Sequence, residues 1–463
     1  MTTRQKKLTN RIYLTKLPYS TELKYNLLLP TDVPIFAQQV YRKLDKRLLP
    51  LLISLYIVAY LDRVNIGFAK LTMTKELGFS DSVYGLGAGI FFLGYFLFEI
   101  PSNLILQRVG AKLWIARIMI VWGLLSAATM FVTTPVQFYT VRFLLGLGEA
   151  GFAPGIILYL TYWYPAIRRA KATATFMTAI AWSGIIGGPL SGFIMTTFDG
   201  IANLAGWQWL FLLEAVPAII LGVVVIIWMD NNPSTAQWLS REERTWLVEQ
   251  LRQETMQKAQ SGHIDSFAKV LTHSKVWWLS GAYFSVIMGV YGISFWVPQI
   301  IHELGKQSIQ QTGLLTAIPY LLAAVGMVVI SHSSDKRQER CWHFALSAML
   351  GSVGLTLSGY YNDSLPLTLL ALSLACLGIL SALPVFWSIP TQILNGAAAA
   401  GGIALINSCG NLAGYLSPVL VAWIKEATGN LTNALYMLAA WVILSAIIVI
   451  LNFNSTRISL RSK

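Results

Sequence analysis

Residues 48–69 read LLPLLISLYIVAYLDRVNIGFA, an apolar run that carries an acid and a base, Asp62 and Arg63, side by side. About 20 apolar residues in a row are the length of a transmembrane helix. A charge near the bilayer centre costs about 2.5–3.5 kcal/mol on insertion scales, so such residues face a partner or a cavity. The conflict recurs over 141–160, VRFLLGLGEAGFAPGIILYL, where Arg142 and Glu149 interrupt another long apolar run. Two bases and two acids on two helices point to a site for a negatively charged substrate and a proton.

Composition says that these helices cross a membrane. The chain has 463 residues, 55% hydrophobic and only 12% charged, with a mean hydropathy of +0.58. A soluble chain would carry about 25% charged residues. Twelve apolar runs lie between residues 48 and 452. The least regular, 397–425, is dominated by Gly and Ala, which suit transmembrane helices that approach closely. Six runs precede a polar stretch and six follow it. The sequence therefore predicts an all-α polytopic membrane protein with 12 transmembrane helices in two six-helix bundles. The expected parts are a cytoplasmic tail over 1–47, a bundle over 48–229, a central loop over 230–275, a second bundle over 276–452 and a tail over 453–463. Paired bundles with a midplane site between them are the architecture of many secondary transporters.

The net charge of +13 is a topology signal and not a nucleic-acid footprint. Ten of the 34 Lys and Arg precede the first run, and most others flank alternate loops. The positive-inside rule then places both termini and the central loop in the cytoplasm. No short apolar core opens the chain, so the first span is expected to serve as the insertion signal. The basic tail could touch anionic headgroups, but a solvated tail is favoured. Cys341, Cys376 and Cys409 are odd in number and widely spaced, and the five histidines show no ligand spacing. No metal and no cofactor is expected. In the central loop, Ser240 and Glu243 fit a capping box and predict a short surface helix.

The loops after the second and eighth runs, QRVGAKLWIAR (107–117) and SSDKRQER (333–340), occupy the same place in each half. They resemble the loop motif of the major facilitator superfamily. The first copy departs from it, with Gln107 in the acidic position and Asn103 in place of the leading Gly; the second keeps Asp335. The resemblance implies a latch, and topology anchoring is the alternative. AYLDRVNIGFA (59–69), FFLGYFLFEIPSNLILQRVGAKLWIARI (91–118), RFLLGLGEAGFAPGIILYLTYWYP (142–165) and GWQWLFLLEAVPA (206–218) are similar to the anion:cation symporter group of that superfamily. Its bacterial tartrate permeases are the nearest in kind; other members carry hexuronates, galactonate, phthalate or hydroxyphenylacetate. The likeness runs from about residue 45 onward.

Position supports a division of labour. At 1.5 Å per residue, Asp62 and Glu149 each lie about 21 Å from the cytoplasmic end of their helix, at matched depth. Arg142 and Glu149 share a helix face, and Arg63 points about 100° from Asp62. Arginine stays charged and presents a fork of donors that fits a carboxylate, so Arg63 and Arg142 are the expected anion ligands. Asp62 and Glu149 are the expected proton-coupling groups, released to take up a proton when the anion neutralises an arginine. Permanent ion pairs that hold the bundle together are the competing reading.

The resemblance further implies that Tyr60, Tyr95, Trp387 and Asn407 line the substrate path. Asn411 faces the same way as Asn407, and for each Asn interhelical packing is an equal alternative. Tyr291 is a weaker candidate, because Gly289, Gly292 and Pro298 first signal a bendable helix. Glu99 is expected to pair with a loop arginine, and Glu214 has no assigned role. The leading expectation is a proton-coupled symporter of a small organic anion such as tartrate. An exchanger, or a carrier of aromatic or sugar acids, is the alternative. A membrane sensor and a membrane enzyme fare worse, for want of a signalling domain or a catalytic grouping. The expected partners are the anion, the proton and the lipid bilayer, with no nucleic acid and a monomeric chain.

Overall fold

The computed structural model describes residues 35–260, 274–393 and 396–453. Residues 35–44 belong to one unit and the described residues from Asp45 onward to another. The described part of the first unit, residues 35–44, is helical. The second contains the helical bundles and every residue of the site. Twelve helical segments are long and apolar enough to cross a membrane, and no strand occurs among the described residues. The protein is an all-α, multi-pass membrane protein.

The first span consists of helices Ile35–Val64 and Ile66–Glu76. Its helix starts well before the apolar run at residue 48, because a membrane boundary is not a helix boundary. Ala37, Val40, Tyr41, Leu44 and Leu48 are buried while Arg42 and Lys43 are exposed, the 3.6-residue stripe of an amphipathic helix. The second and third spans are Asp81–Val109 and Ala111–Phe131. The fourth is split into Pro135–Glu149 and Phe152–Trp163, and the fifth into Ala166–Met177 and Ala179–Thr197. The sixth is Gly206–Trp228. The remaining spans are Ser274–Gly305, Ile309–Arg337, Cys341–Tyr360, Leu365–Ile393, Gly396–Thr428 and Leu431–Phe453. The Gly- and Ala-rich eleventh run is thus a helix.

Local sequence sets the helix starts. Thr134 and Gln137 form a capping box around Pro135 at the first helical position, where its missing N–H costs nothing. Ser308 and Gln311 do the same for the eighth span. In the central loop Glu243 N donates to Ser240 Oγ at 3.1 Å and Ser240 N to Glu243 Oε2 at 2.7 Å. The helix they open, Arg241–Gln260, is the expected surface helix at a greater length.

The two halves meet through the first and seventh, the second and eleventh, and the fifth and eighth spans. Glycine makes the closest of these approaches possible. A Cβ on Gly188 of the fifth span would stand 2.5 Å from the Gly313 carbonyl oxygen of the eighth. Small residues of this kind let membrane helices pack backbone to backbone. At the end of the molecule opposite the central loop, charges tie the halves together. Asp81 of the second span lies 2.5 Å from Lys70 of the first and 3.1 Å from Lys425 of the eleventh. Beside them Ser82 N donates to Glu426 Oε1 at 2.7 Å.

Candidate functional site

Two of the three broken spans break at the charges. Helix Ile35–Val64 stops one residue after Arg63, and Asn65 joins it to Ile66–Glu76. Helix Pro135–Glu149 stops at Glu149 itself. Its joint needs Gly151, at φ +82, where a Cβ would also meet Ser102 Oγ at 2.5 Å. Non-helical backbone at membrane depth is tolerated only where protein or a polar path surrounds it.

Arg63 is ion-paired with Glu149, and both are buried. Its Nη1 donates to the Tyr291 hydroxyl of the seventh span at 3.2 Å, so the guanidinium reaches the other half of the molecule. Phe91 and Tyr95 hold their ring centres 5.4 Å from it, and Phe92 5.9 Å. Phe92 packs edge-on to Tyr291 at 4.4 Å, and Tyr291 stacks on Phe295. Tyr60 stands nearby, its hydroxyl 3.5 Å from Ser294 Oγ.

Arg142 is 0% exposed, and its Nε donates to the Gly87 carbonyl at 3.3 Å. Nη1 and Nη2 have no hydrogen-bond partner among the described residues. Its guanidinium lies 5.1 Å from the Phe91 ring centre, so the two arginines share one aromatic neighbour. Helical spacing alone pairs Arg142 with Glu149, yet Glu149 is engaged by Arg63. A buried charge that keeps free donors is costly.

Asp62 points the other way, into the first bundle. Trp122 Nε1 donates to it at 2.7 Å, Ser126 Oγ at 3.0 Å and Asn65 Nδ2 at 3.4 Å. The rotation of about 100° between neighbours on a helix separates the adjacent acid and base: Arg63 faces the second half, Asp62 the third span.

One expected contact differs from the sequence reading, that of Glu99 with a loop arginine. Asn407 and Asn411 do face the same way, but their side-chain amides donate to the two oxygens of Glu99, at 2.7 and 2.8 Å. Glu99 is therefore held by the eleventh span and not by a loop arginine. Asn407 and Asn411, one helical turn apart on the eleventh span, place one amide on each oxygen of the Glu99 carboxylate. Trp387 packs against Tyr283 at 4.9 Å and Phe386 at 5.6 Å, within the second half. In the loop motif, Asp335 pairs with Arg340 at 2.6 Å, while Asn103 donates to the Glu99 carbonyl at 2.9 Å.

Phe91, Phe92, Trp122, Ser126 and Gly87 complete the site without having been singled out by sequence. Aromatic and small residues are ordinary in apolar spans and carry no individual signal. Among the described residues no group of His, Cys, Asp and Glu could hold a metal.

These features define a membrane transporter of the two-bundle kind, and the chain belongs to the major facilitator superfamily: the family model of that description matches residues 52–418. Over 89% of this chain and 94% of the relative, it is 48% identical to an Agrobacterium vitis protein named "Putative tartrate transporter". An Acinetobacter baumannii "Quinolone resistance transporter" is 41% identical over 87% of this chain and 92% of its own length. The Escherichia coli "Inner membrane transport protein RhmT" is 37% identical over 90% and 96%. Among solved structures, a bacterial homologue of the human lysosomal transporter Spinster superposes with a TM-score of 0.67 at 16% identity, covering 90% of this chain and 96% of its own. The E. coli xylose transporter XylE reaches 0.67 at 15% identity, over 87% and 99%. At these identities the two structures speak for the fold alone. The protein is a transporter and not an enzyme.

Proposed function

We propose that this protein takes up a small organic anion, tartrate or a related hydroxycarboxylate, together with protons and by alternating access. The observation that carries the reading is the Arg142 guanidinium, wholly buried with both Nη groups unpartnered. Those two groups form the flat donor fork that a carboxylate accepts in bidentate fashion. Arg63 offers a second cation beside the same Phe91 ring. An anion drawn to Arg63 competes with Glu149 for it. The displaced carboxyl, left in apolar surroundings without its cation, is stable there only as the neutral acid. Anion entry and proton uptake are coupled in that exchange of partners. The Agrobacterium vitis relative named for tartrate supports the substrate class. The loop charges support cytoplasmic termini.

A second reading has its own observation. Phe91, Phe92, Tyr95 and Tyr291 surround Arg63, a setting that also suits an aromatic carboxylate. Binding and counterflow measured on the purified chain in proteoliposomes separate the two. We expect tartrate and other hydroxycarboxylates to stabilise the protein against heat and to exchange across the membrane. Preference for phthalate or hydroxyphenylacetate would favour the aromatic reading. Stabilisation by neutral sugars, with no response to any carboxylate, would overturn the anion carrier.

A further inference from the structure

One face of the second span meets the eleventh from Asp81 to Glu99. At the end opposite the central loop, Asp81 lies 3.1 Å from Lys425 and Ser82 N donates to Glu426 Oε1 at 2.7 Å. Further in, a Cβ on Gly89 would stand 2.6 Å from the Tyr415 carbonyl oxygen, and one on Gly414 would stand 2.6 Å from the Phe92 ring. Deeper still, the two oxygens of Glu99 accept from the Asn407 and Asn411 amides at 2.7 and 2.8 Å. Residue numbers rise along one span as they fall along the other. The two spans are therefore antiparallel in a fixed register over about 27 Å of helix.

Glu99 is the unusual member of this seam. Its side-chain bonds come from two neutral amides of the other half of the molecule. A carboxylate only accepts, and here each oxygen has an N–H donor of its own. Glu99 is buried, whereas both asparagines are half-buried. The tie adjoins the anion site on both spans. Tyr95, one turn before Glu99, holds its ring 5.4 Å from the Arg63 guanidinium. Phe92, which packs on Gly414 three residues after Asn411, lies 5.9 Å from the same guanidinium. A donor pair that fits both oxygens of one carboxylate thus lies within two turns of the arginine site. A hydroxyl brings one neutral oxygen and cannot match two charge-assisted bonds.

We propose that Glu99 is a tethered carboxylate that occupies the Asn407 and Asn411 amides in the empty carrier, and that the second carboxylate of a dicarboxylate anion displaces it. The proposal deepens the anion reading given under Proposed function and rests on it. The first carboxylate of the anion takes the Arg142 fork, and the second takes the two amides in place of Glu99. A monocarboxylate has nothing to exchange for Glu99 and leaves the tie intact. Glu99 thereby makes the site selective for acids with two carboxylates. Its displacement also unties the second span from the eleventh at that level, so loading with a dicarboxylate loosens the seam between the halves.

The test is titration calorimetry on the purified full chain with two probes, tartrate and threonate. Threonate is tartrate with one carboxylate replaced by a hydroxymethyl group. Glu99→Gln keeps the size of the side chain and neutralises the competitor. Charge-assisted hydrogen bonds are roughly twice as strong as neutral ones, so the ratio of tartrate to threonate affinity should rise about ten-fold. Loss of a negative charge acting only at a distance would strengthen both acids alike and leave the ratio where it was. Asn411→Leu removes one of the two donors and should lower the ratio. If Glu99→Gln does not fold, Glu99→Asp takes its place, since the shorter side chain does not reach both amides, and the same rise is expected. A wild type that binds both acids, with a ratio that the Glu99 variant leaves unmoved or lowers, overturns the displacement alone. A wild type that binds neither acid defeats the anion reading and the displacement with it.

Discussion

A single side chain, Arg142, combines complete burial with unsatisfied donors, and residue-level tests begin there. Arg142→Lys keeps the charge and loses the fork. A hydrogen bond to a charged group contributes about 1.5–3 kcal/mol, so anion affinity should fall about ten-fold to a hundred-fold, as read by titration calorimetry. Unchanged affinity would remove Arg142 from the binding site. Glu149→Gln addresses coupling. The amide keeps a hydrogen-bond acceptor for Arg63 and cannot titrate, so counterflow should persist while pH-driven accumulation is lost. A purely structural ion pair behaves otherwise: removing one partner of a buried pair costs about 3–5 kcal/mol and would take folding and binding together. Undiminished pH-driven accumulation in Glu149→Gln would exclude it as the proton group.

Among the elements, the broken spans are the features a continuous apolar run conceals. The fourth span turns at Gly151, where positive φ coincides with the Ser102 contact. Gly200 provides an internal comparison, since it has φ +78 and a methyl group added there would meet nothing within 4 Å. Gly200→Ala should cost only the left-handed backbone strain, about 1–2 kcal/mol. Gly151→Ala should cost more, because the methyl group must also displace Ser102, and its melting temperature in detergent should be the lower of the two. Equal melting temperatures would mean that the second span yields freely at Ser102. The joint at Asn65 has no such backbone demand, being right-handed at φ −58 and ψ −27; its side chain and not its backbone marks it.

Across the whole molecule, the halves are tied at the end opposite the central loop by Asp81, Lys70, Lys425 and the Ser82–Glu426 contact. Alternating access requires that these separate. Ser82→Cys with Glu426→Cys should therefore form a disulfide under oxidant, stop transport, and release it on reduction. Continued transport by fully cross-linked protein would show that this end need not open. Labelling of cysteines placed in the Arg241–Gln260 helix should occur only from the cytoplasmic side. Labelling from outside would reverse the topology.

The sequence alone determined the membrane class and the count of twelve spans, because long apolar runs and loop charges are one-dimensional signals that survive without any contact being known, and its motifs carried the likeness to the superfamily. It also pointed to Arg63, Arg142, Asp62 and Glu149, since an ion in an apolar run is conspicuous wherever the chain folds. Which ion meets which was decided by the tertiary structure. Helical spacing pairs Arg142 with Glu149, yet in the folded chain Arg63 meets Glu149 while Arg142 Nη1 and Nη2 have no partner among the described residues. Glu99 meets Asn407 and Asn411 from more than 300 positions away, and Glu214 of the sixth span meets Ser191 of the fifth. Such pairings depend on the rotation and register of helices against one another, set by the sum of many weak side-chain contacts, and no local run of residues encodes them.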